Sequence, residues 1–268
     1  MSSTPTGRRP RTRPPLALVI LGCFGLALFV VPLIGLLGRV PWPALPTLLA
    51  SEVVTDALRL SLLASVAATL ISLLLGLPLA YLLARVDFPG RSVVRGVVTL
   101  PLVLPPVVGG AALLFALGRR GLVGEPLERV GLVLPFSIWG VILATTFVAM
   151  PFLVITVEGA LRNLDQRFEG AAATLGARRW TVMRRVTLPM IGPSLTAGLI
   201  LTWARAFGEF GATITFAGNL QGRTQTLPLA VFVALERDRD TAVAISLLMV
   251  LVSLAVLVAL RDRWTRTL

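Results

Sequence analysis

The 268-residue chain is 56% apolar and only 14% charged, with a mean hydropathy of +0.87, which excludes a soluble globular domain of this size. Its apolar runs are continuous rather than alternating, which excludes a β-barrel. The net charge of +12 comes from 25 arginines and no lysine. In a soluble protein that charge would suggest nucleic acid, but here the arginines cluster in alternate loops, so topology accounts for them and no nucleic-acid partner is expected. A single cysteine, Cys23, and no histidine leave no disulfide framework and no ligand set for zinc, haem or an iron–sulfur cluster.

Residues 1–15 (MSSTPTGRRPRTRPP) are basic and proline-rich and read as a disordered tail. Leu16 to Gly38 is the first span; at 23 residues it exceeds a signal-peptide core, and no Ala-x-Ala site follows. Arg39 to Asp56 reads as an outer loop in which Pro41, Pro43 and Pro46 oppose helix and Trp42 suits the interface. The second span is Leu58 to Ala84, and Arg85 to Arg91 is a short return. The third, Val93 to Leu117, contains Leu100-Pro-Leu-Val-Leu-Pro-Pro106 and Gly109-Gly110. Such a segment breaks backbone hydrogen bonding, so it either lines a cavity or is a packed structural kink.

A second outer loop, Gly118 to Pro135, leads to the fourth span, Ser137 to Val157, with Glu158 expected as an interfacial charge. The fifth span is Ile191 to Phe216, Gly218 to Asp240 is a third outer region, and Ala242 to Leu260 is the sixth span. The expected fold class is therefore all-α and polytopic, with six transmembrane helices. The loops on one side hold 16 arginines and those on the other hold 7, which places both termini in the cytoplasm of a multi-pass inner-membrane protein.

Between the fourth and fifth spans, Asp165 to Pro189 (DQRFEGAAATLGARRWTVMRRVTLP) is both arginine-rich and helix-patterned. Phe168, Ala171, Ala172 and Leu175 share one helix face, Asp165 stands at the N-terminus and Gly176 at the C-terminus. A second short helix marked by Trp180 and Met183 runs into Pro189. This elbow reads as a cytoplasmic docking surface or as a loop folded on its own helices.

The fifth span carries Arg205 and Glu209 in TWARAFGEFGATITFAGN. Charges at that depth are costly unless paired or facing water. Four residues apart, they are expected on one helix face, either lining a pathway or fixing helix packing. Gly208 and Gly211 allow close helix approach, and Thr202, Thr213 and Thr215 supply hydroxyls. No G-x-x-x-x-G-K-[ST] loop and no Ser–His pair is present, so the chain is expected to be no enzyme and to bind no cofactor.

The elbow resembles the loop signature E-A-A-x3-G-x9-I-x-L-P of type I ABC importer permeases: Glu169-Gly-Ala-Ala-Ala-Thr-Leu-Gly176, nine residues, then Val186-Thr-Leu-Pro189. The signature's acid falls on Gly170, with Glu169 one residue earlier, and Val186 replaces isoleucine. LPLVLPPVVGG (100–110), GRRGLVGE (118–125), AFGEFGATITFAGN (206–219) and GRTQTLPLAVF (222–232) resemble the molybdate permeases, with sulfate/thiosulfate and tungstate permeases as near neighbours. The resemblance implies a domain over residues 54–261, preceded by an additional helix at 16–38 and carrying a coupling helix at about 165–185. It implies ATPase coupling through Glu169, Ala171, Ala172, Leu175, Gly176, Leu188 and Pro189. A pathway or gate would be lined by Pro105, Pro106, Gly109, Arg205, Glu209 and Thr213. The implied partners are a second copy of the chain, two ATPase subunits that use ATP, an oxyanion-binding protein and membrane lipid. A membrane anchor or intramembrane enzyme is the reading from a different class.

Overall fold

The computed structural model describes residues 15–264, with side chains through residue 259, so all but Pro15 of the expected tail lies outside the described residues. Every regular element among the described residues is helical. The long helices are α1 (Leu16–Leu37), α3 (Glu52–Arg85), α7 (Ile138–Asn163), α10 (Leu188–Phe207) and α13 (Arg239–Trp264). Short helices α2 (Leu45–Leu49) and α6 (Gly124–Arg129) lie in the connections 39–56 and 118–135. The third span is split into α4 (Arg91–Val103) and α5 (Pro106–Leu117). The elbow consists of α8 (Arg167–Thr174) and α9 (Arg179–Val182), and α11 (Gly211–Phe216) and α12 (Leu227–Arg237) complete the chain order. Among the described residues five helices are long and apolar enough to cross a membrane, and where a sixth span is expected the chain forms the split pair α4–α5, of which α5 is a shorter apolar helix.

Helix α7 is the centre of the bundle, packed on α3 and α10. Small residues on α3 make this possible: Ala68, Ser72, Gly76 and Ala80 recur every fourth position and are buried. A Cβ at Gly76 would lie 3.3 Å from both Met150 Cγ and Val154 Cγ2, and one at Gly198 would lie 3.1 Å from Leu153 Cδ1. Between these contacts, Leu83, Leu153, Val154, Val157, Leu161 and Ile191 form one apolar core. A second core, nearer the other end of α3, joins Val54, Ala57, Phe207, Leu227, Ala230 and Ile245. In contrast, α1 buries none of its residues.

Several expected boundaries shift. The second span begins at Glu52, not Leu58, and the fourth runs on to Asn163. The region 218–240 is not merely a loop. Its helix α12 is too short to cross a membrane at 11 residues, yet buries Leu227, Leu229, Ala230 and Ala234, and its Leu227 N–H donates to Ser61 Oγ at 2.7 Å. The second helix of the elbow does not stop at Pro189 either. It continues from Arg179 through a π turn at Met183–Thr187 into α10, one 29-residue helix ending at Phe207. Pro189 lacks an N–H and its ring displaces the carbonyl one turn back, so the ladder widens there instead of ending.

Candidate functional site

Two interrupted spans meet inside the bundle. In the first, Leu104 and Pro105 are extended (φ −67°, ψ 137°; φ −54°, ψ 132°), because each precedes a proline whose ring disfavours helix at the residue before it. Helix α5 then restarts with Pro106 at its first position, where the missing N–H costs nothing. In the second, α10 stops at Phe207 and α11 restarts at Gly211. The two breaks are in contact: a Cβ at Gly211 would lie 2.9 Å from Pro106 Cβ and 3.1 Å from Val107 N. One at Gly110 would lie 2.7 Å from the Ala212 carbonyl oxygen and 2.8 Å from Thr215 Cβ, so only glycine allows this packing. Gly109 is buried against Phe147, with Cε1 at 3.1 Å from a Cβ there. Pro105, Val103 and Val107 remain exposed, so one side of the break is uncovered within a single chain.

The fifth span is thus not one helix to Phe216, and Glu209 is not on the same helix as Arg205. Glu209 sits in the break, yet its Oε2 is 2.6 Å from Arg205 Nη1. Its Oε1 accepts the Ala212 N–H at 2.8 Å, capping α11. The carboxylate therefore faces the N-terminal end of one helix while the guanidinium sits in the last turn of the other, the favourable polarity at both ends. Glu209 is 1% exposed and Arg205 28%. Of the three hydroxyls, Thr202 and Thr215 donate to their own helices, to Gly198 O and Gly211 O at 2.8 Å. Thr213 is fully buried with no hydrogen-bond partner.

The elbow forms a second site. Asp165 Oδ1 accepts the Arg167 N–H at 2.9 Å, the expected N-terminal cap. Gly176, at φ +82°, ends α8 in a Schellman motif: its N–H donates to Ala173 O (3.0 Å) and that of Ala177 to Ala172 O (3.1 Å). Helix α8 buries no residue, and Phe168 and Leu175 are 54% and 88% exposed. The apolar face is turned away from its own helices, with Ala171 exposed and Ala172 half-buried beside it. Leu188 and Pro189 open α10 beyond the π turn.

Glu169 points the other way. Its Oε1 accepts from Thr187 Oγ1 at 2.7 Å, and Arg85 Nη2 lies 3.4 Å away. This side chain binds the elbow to the ends of α3 and α10, two partners that nothing in the sequence spacing indicated. Gly170 is exposed on α8 and a Cβ there would meet nothing within 4 Å. Gly170→Glu, which restores the signature acid on the open side, is expected to stabilise the elbow by roughly 1 kcal/mol, read as a higher Tm of the purified protein.

Glu158 is not an interfacial charge. It is 6% exposed, accepts from Arg95 Nε at 2.9 Å and has Arg162 Nη1 at 3.7 Å. Arg95 and Arg91 also donate to the Leu83 carbonyl, at 3.3 and 2.8 Å, satisfying the end of α3. The i, i+4 spacing of Glu158 and Arg162 was the one sequence signal for this cluster.

The profile of the family described as "Binding-protein-dependent transport system inner membrane component" matches residues 76–268. The chain belongs to that family. It is 48% identical over 211 residues to the molybdenum transport system permease protein ModB of Mycobacterium tuberculosis (strain ATCC 25618 / H37Rv), covering 78% of this chain and 79% of the relative. It is 43% identical over 176 residues to the sulfate transport system permease protein CysW of Synechococcus elongatus (strain ATCC 33912 / PCC 7942 / FACHB-805), covering 66% and 62%. Among solved structures, one chain of the bacterial alginate ABC transporter in complex with an alginate pentasaccharide-bound periplasmic protein superposes with a TM-score of 0.75. That match has 22% identity and covers 91% of each chain. The protein is therefore a multi-pass ABC importer permease, similar in sequence to molybdate permeases and sharing the fold of the alginate importer.

Proposed function

We propose that this permease carries a tetrahedral oxyanion, molybdate first, as a homodimer driven by two ATPase subunits docked on its elbows. The observation that carries the substrate assignment is the 48% identity to ModB over 211 residues. The broken pair α4–α5 and α10–α11, with Arg205 in the last turn of α10, supports a pathway there, since irregular backbone at membrane depth is tolerated where it lines a protein-enclosed cavity. Pro105, Pro106, Gly109, Arg205, Glu209 and Thr213 are its proposed lining and gate.

The exposed Phe168–Leu175 face supports docking of an ATPase, and an oxyanion-binding protein would deliver substrate to the opposite end. The arginine asymmetry supports a cytoplasmic elbow and cytoplasmic termini. The proposed domain runs over residues 54–261, with 16–38 as an added span. A sulfate permease is the second reading, favoured by the 43% identity to CysW.

Uptake of labelled molybdate by cells expressing the chain with its binding protein and ATPase separates the two. Tungstate is expected to compete at concentrations similar to molybdate, and sulfate only in large excess. Stronger competition by sulfate than by tungstate would reassign the substrate. An ATPase subunit is expected to co-purify in one-to-one ratio, and an activity independent of any ATPase would favour the anchor or enzyme reading instead.

A further inference from the structure

Beneath the elbow lies a cavity of about 400 Å³ lined by Tyr81, Arg85, Glu169, Arg179 and Thr187 among others. Two guanidiniums face it against one carboxylate, leaving it electropositive. The Arg85 side chain is only 8% exposed, and its Nε–H has no acceptor although Nη2 reaches Glu169. An anion in the cavity would meet the Arg85 and Arg179 side chains that line it and offset their charge. Tyr81, Arg179 and Met183 also line an adjoining groove of about 510 Å³. That groove is otherwise apolar, walled by Leu77, Pro78, Leu82, Leu188 and the indole of Trp180, which is 72% exposed. Leu77 is eight residues before the end of α3, about 12 Å inside it, so the groove runs from that helix end along the apolar surface of the span.

A polar, positively charged chamber opening sideways into an apolar trough matches an anionic amphiphile rather than a free anion. We propose that this joint between α3 and the elbow binds one anionic glycerophospholipid, its phosphate on Arg85 and Arg179 and an acyl chain along Leu77, Leu82 and Met183. The π turn at Met183–Thr187 contributes to both compartments, through Met183 and Thr187. The lipid would then sit against the same Glu169–Arg85–Thr187 contact that fixes the elbow. Only the choice of leaflet, the cytoplasmic one, rests on the orientation given under Proposed function; the site does not.

The test is native mass spectrometry of the full-length protein in detergent, supplemented with phosphatidylglycerol or phosphatidylcholine of identical chains. One phosphatidylglycerol per chain is expected to be retained in preference to phosphatidylcholine. Arg179→Gln, at an exposed position, is expected to weaken that retention roughly fivefold. Leu82→Trp, which fills the trough from its exposed side, is expected to reduce retention of both lipids, and circular dichroism confirms that both variants fold. Equal retention of the two lipids, or unchanged retention in Arg179→Gln, would overturn the proposal. So would displacement of the lipid by millimolar inorganic phosphate, which would mark a simple anion site.

Discussion

Glu209→Gln is expected to lower stability by about 3 kcal/mol and to abolish uptake. The amide keeps an acceptor for the Ala212 N–H, so the α11 cap survives and the loss isolates the charge. What remains is the Arg205 guanidinium, largely withdrawn from water and 2.6 Å from a neutral group. Removing one member of a buried pair is far more damaging than removing both. Arg205→Met combined with Glu209→Gln is therefore expected to recover most of the lost Tm and normal membrane insertion. Uptake should nevertheless stay absent in the double variant, because Arg205 is the exposed member and supplies the positive charge at the break. Full uptake by the double variant, measured with labelled oxyanion in proteoliposomes, would reduce the pair to a packing strut.

Gly176→Val is expected to separate ATP hydrolysis from transport. At φ +82° a β-branched residue costs roughly 1–2 kcal/mol, and nothing within 4 Å would clash with it, so the penalty is conformational and local to the elbow. The Schellman hydrogen bonds to Ala172 and Ala173 fix the direction in which the chain leaves α8 toward α9, and relaxing the turn changes that direction. Amounts in the membrane should stay near normal, since α8 contributes nothing to the buried core. Uptake at saturating substrate should fall roughly tenfold while ATPase activity persists, a loss equivalent to about 1.4 kcal/mol of coupling. Normal uptake per ATP hydrolysed in this variant would remove the elbow from the mechanism.

These two expectations draw on different amounts of sequence information. The elbow was legible because its signals are local. An Asp cap, one apolar face and a terminal glycine act within three helical turns, and Asp165 and Gly176 begin and end α8 as their positions indicated. The break in the third span was equally legible, since consecutive prolines dictate extended backbone before them whatever surrounds them. The break in the fifth span was not. Its glycines are compatible with a continuous packed helix, and the close approach of Pro106 and Val107 to Gly211 appears only in the assembled bundle.

The sequence by itself determined a helical, multi-pass membrane chain with two polar features worth following, because hydrophobic length is a sum over residues and needs no partner. Only the tertiary structure decided how the features are used. It placed Glu158 in a buried cluster with Arg95 and turned Glu169 inward onto Arg85 and Thr187. It also seated Glu209 between two helix ends. For Glu158 and Glu169 a partner lies many residues away, 63 for Arg95 and 84 for Arg85, and the contact of the two breaks bridges an entire intervening span. A carboxylate's role follows from the charge that packing brings to it, and that pairing is a property of the assembled bundle rather than of any one segment.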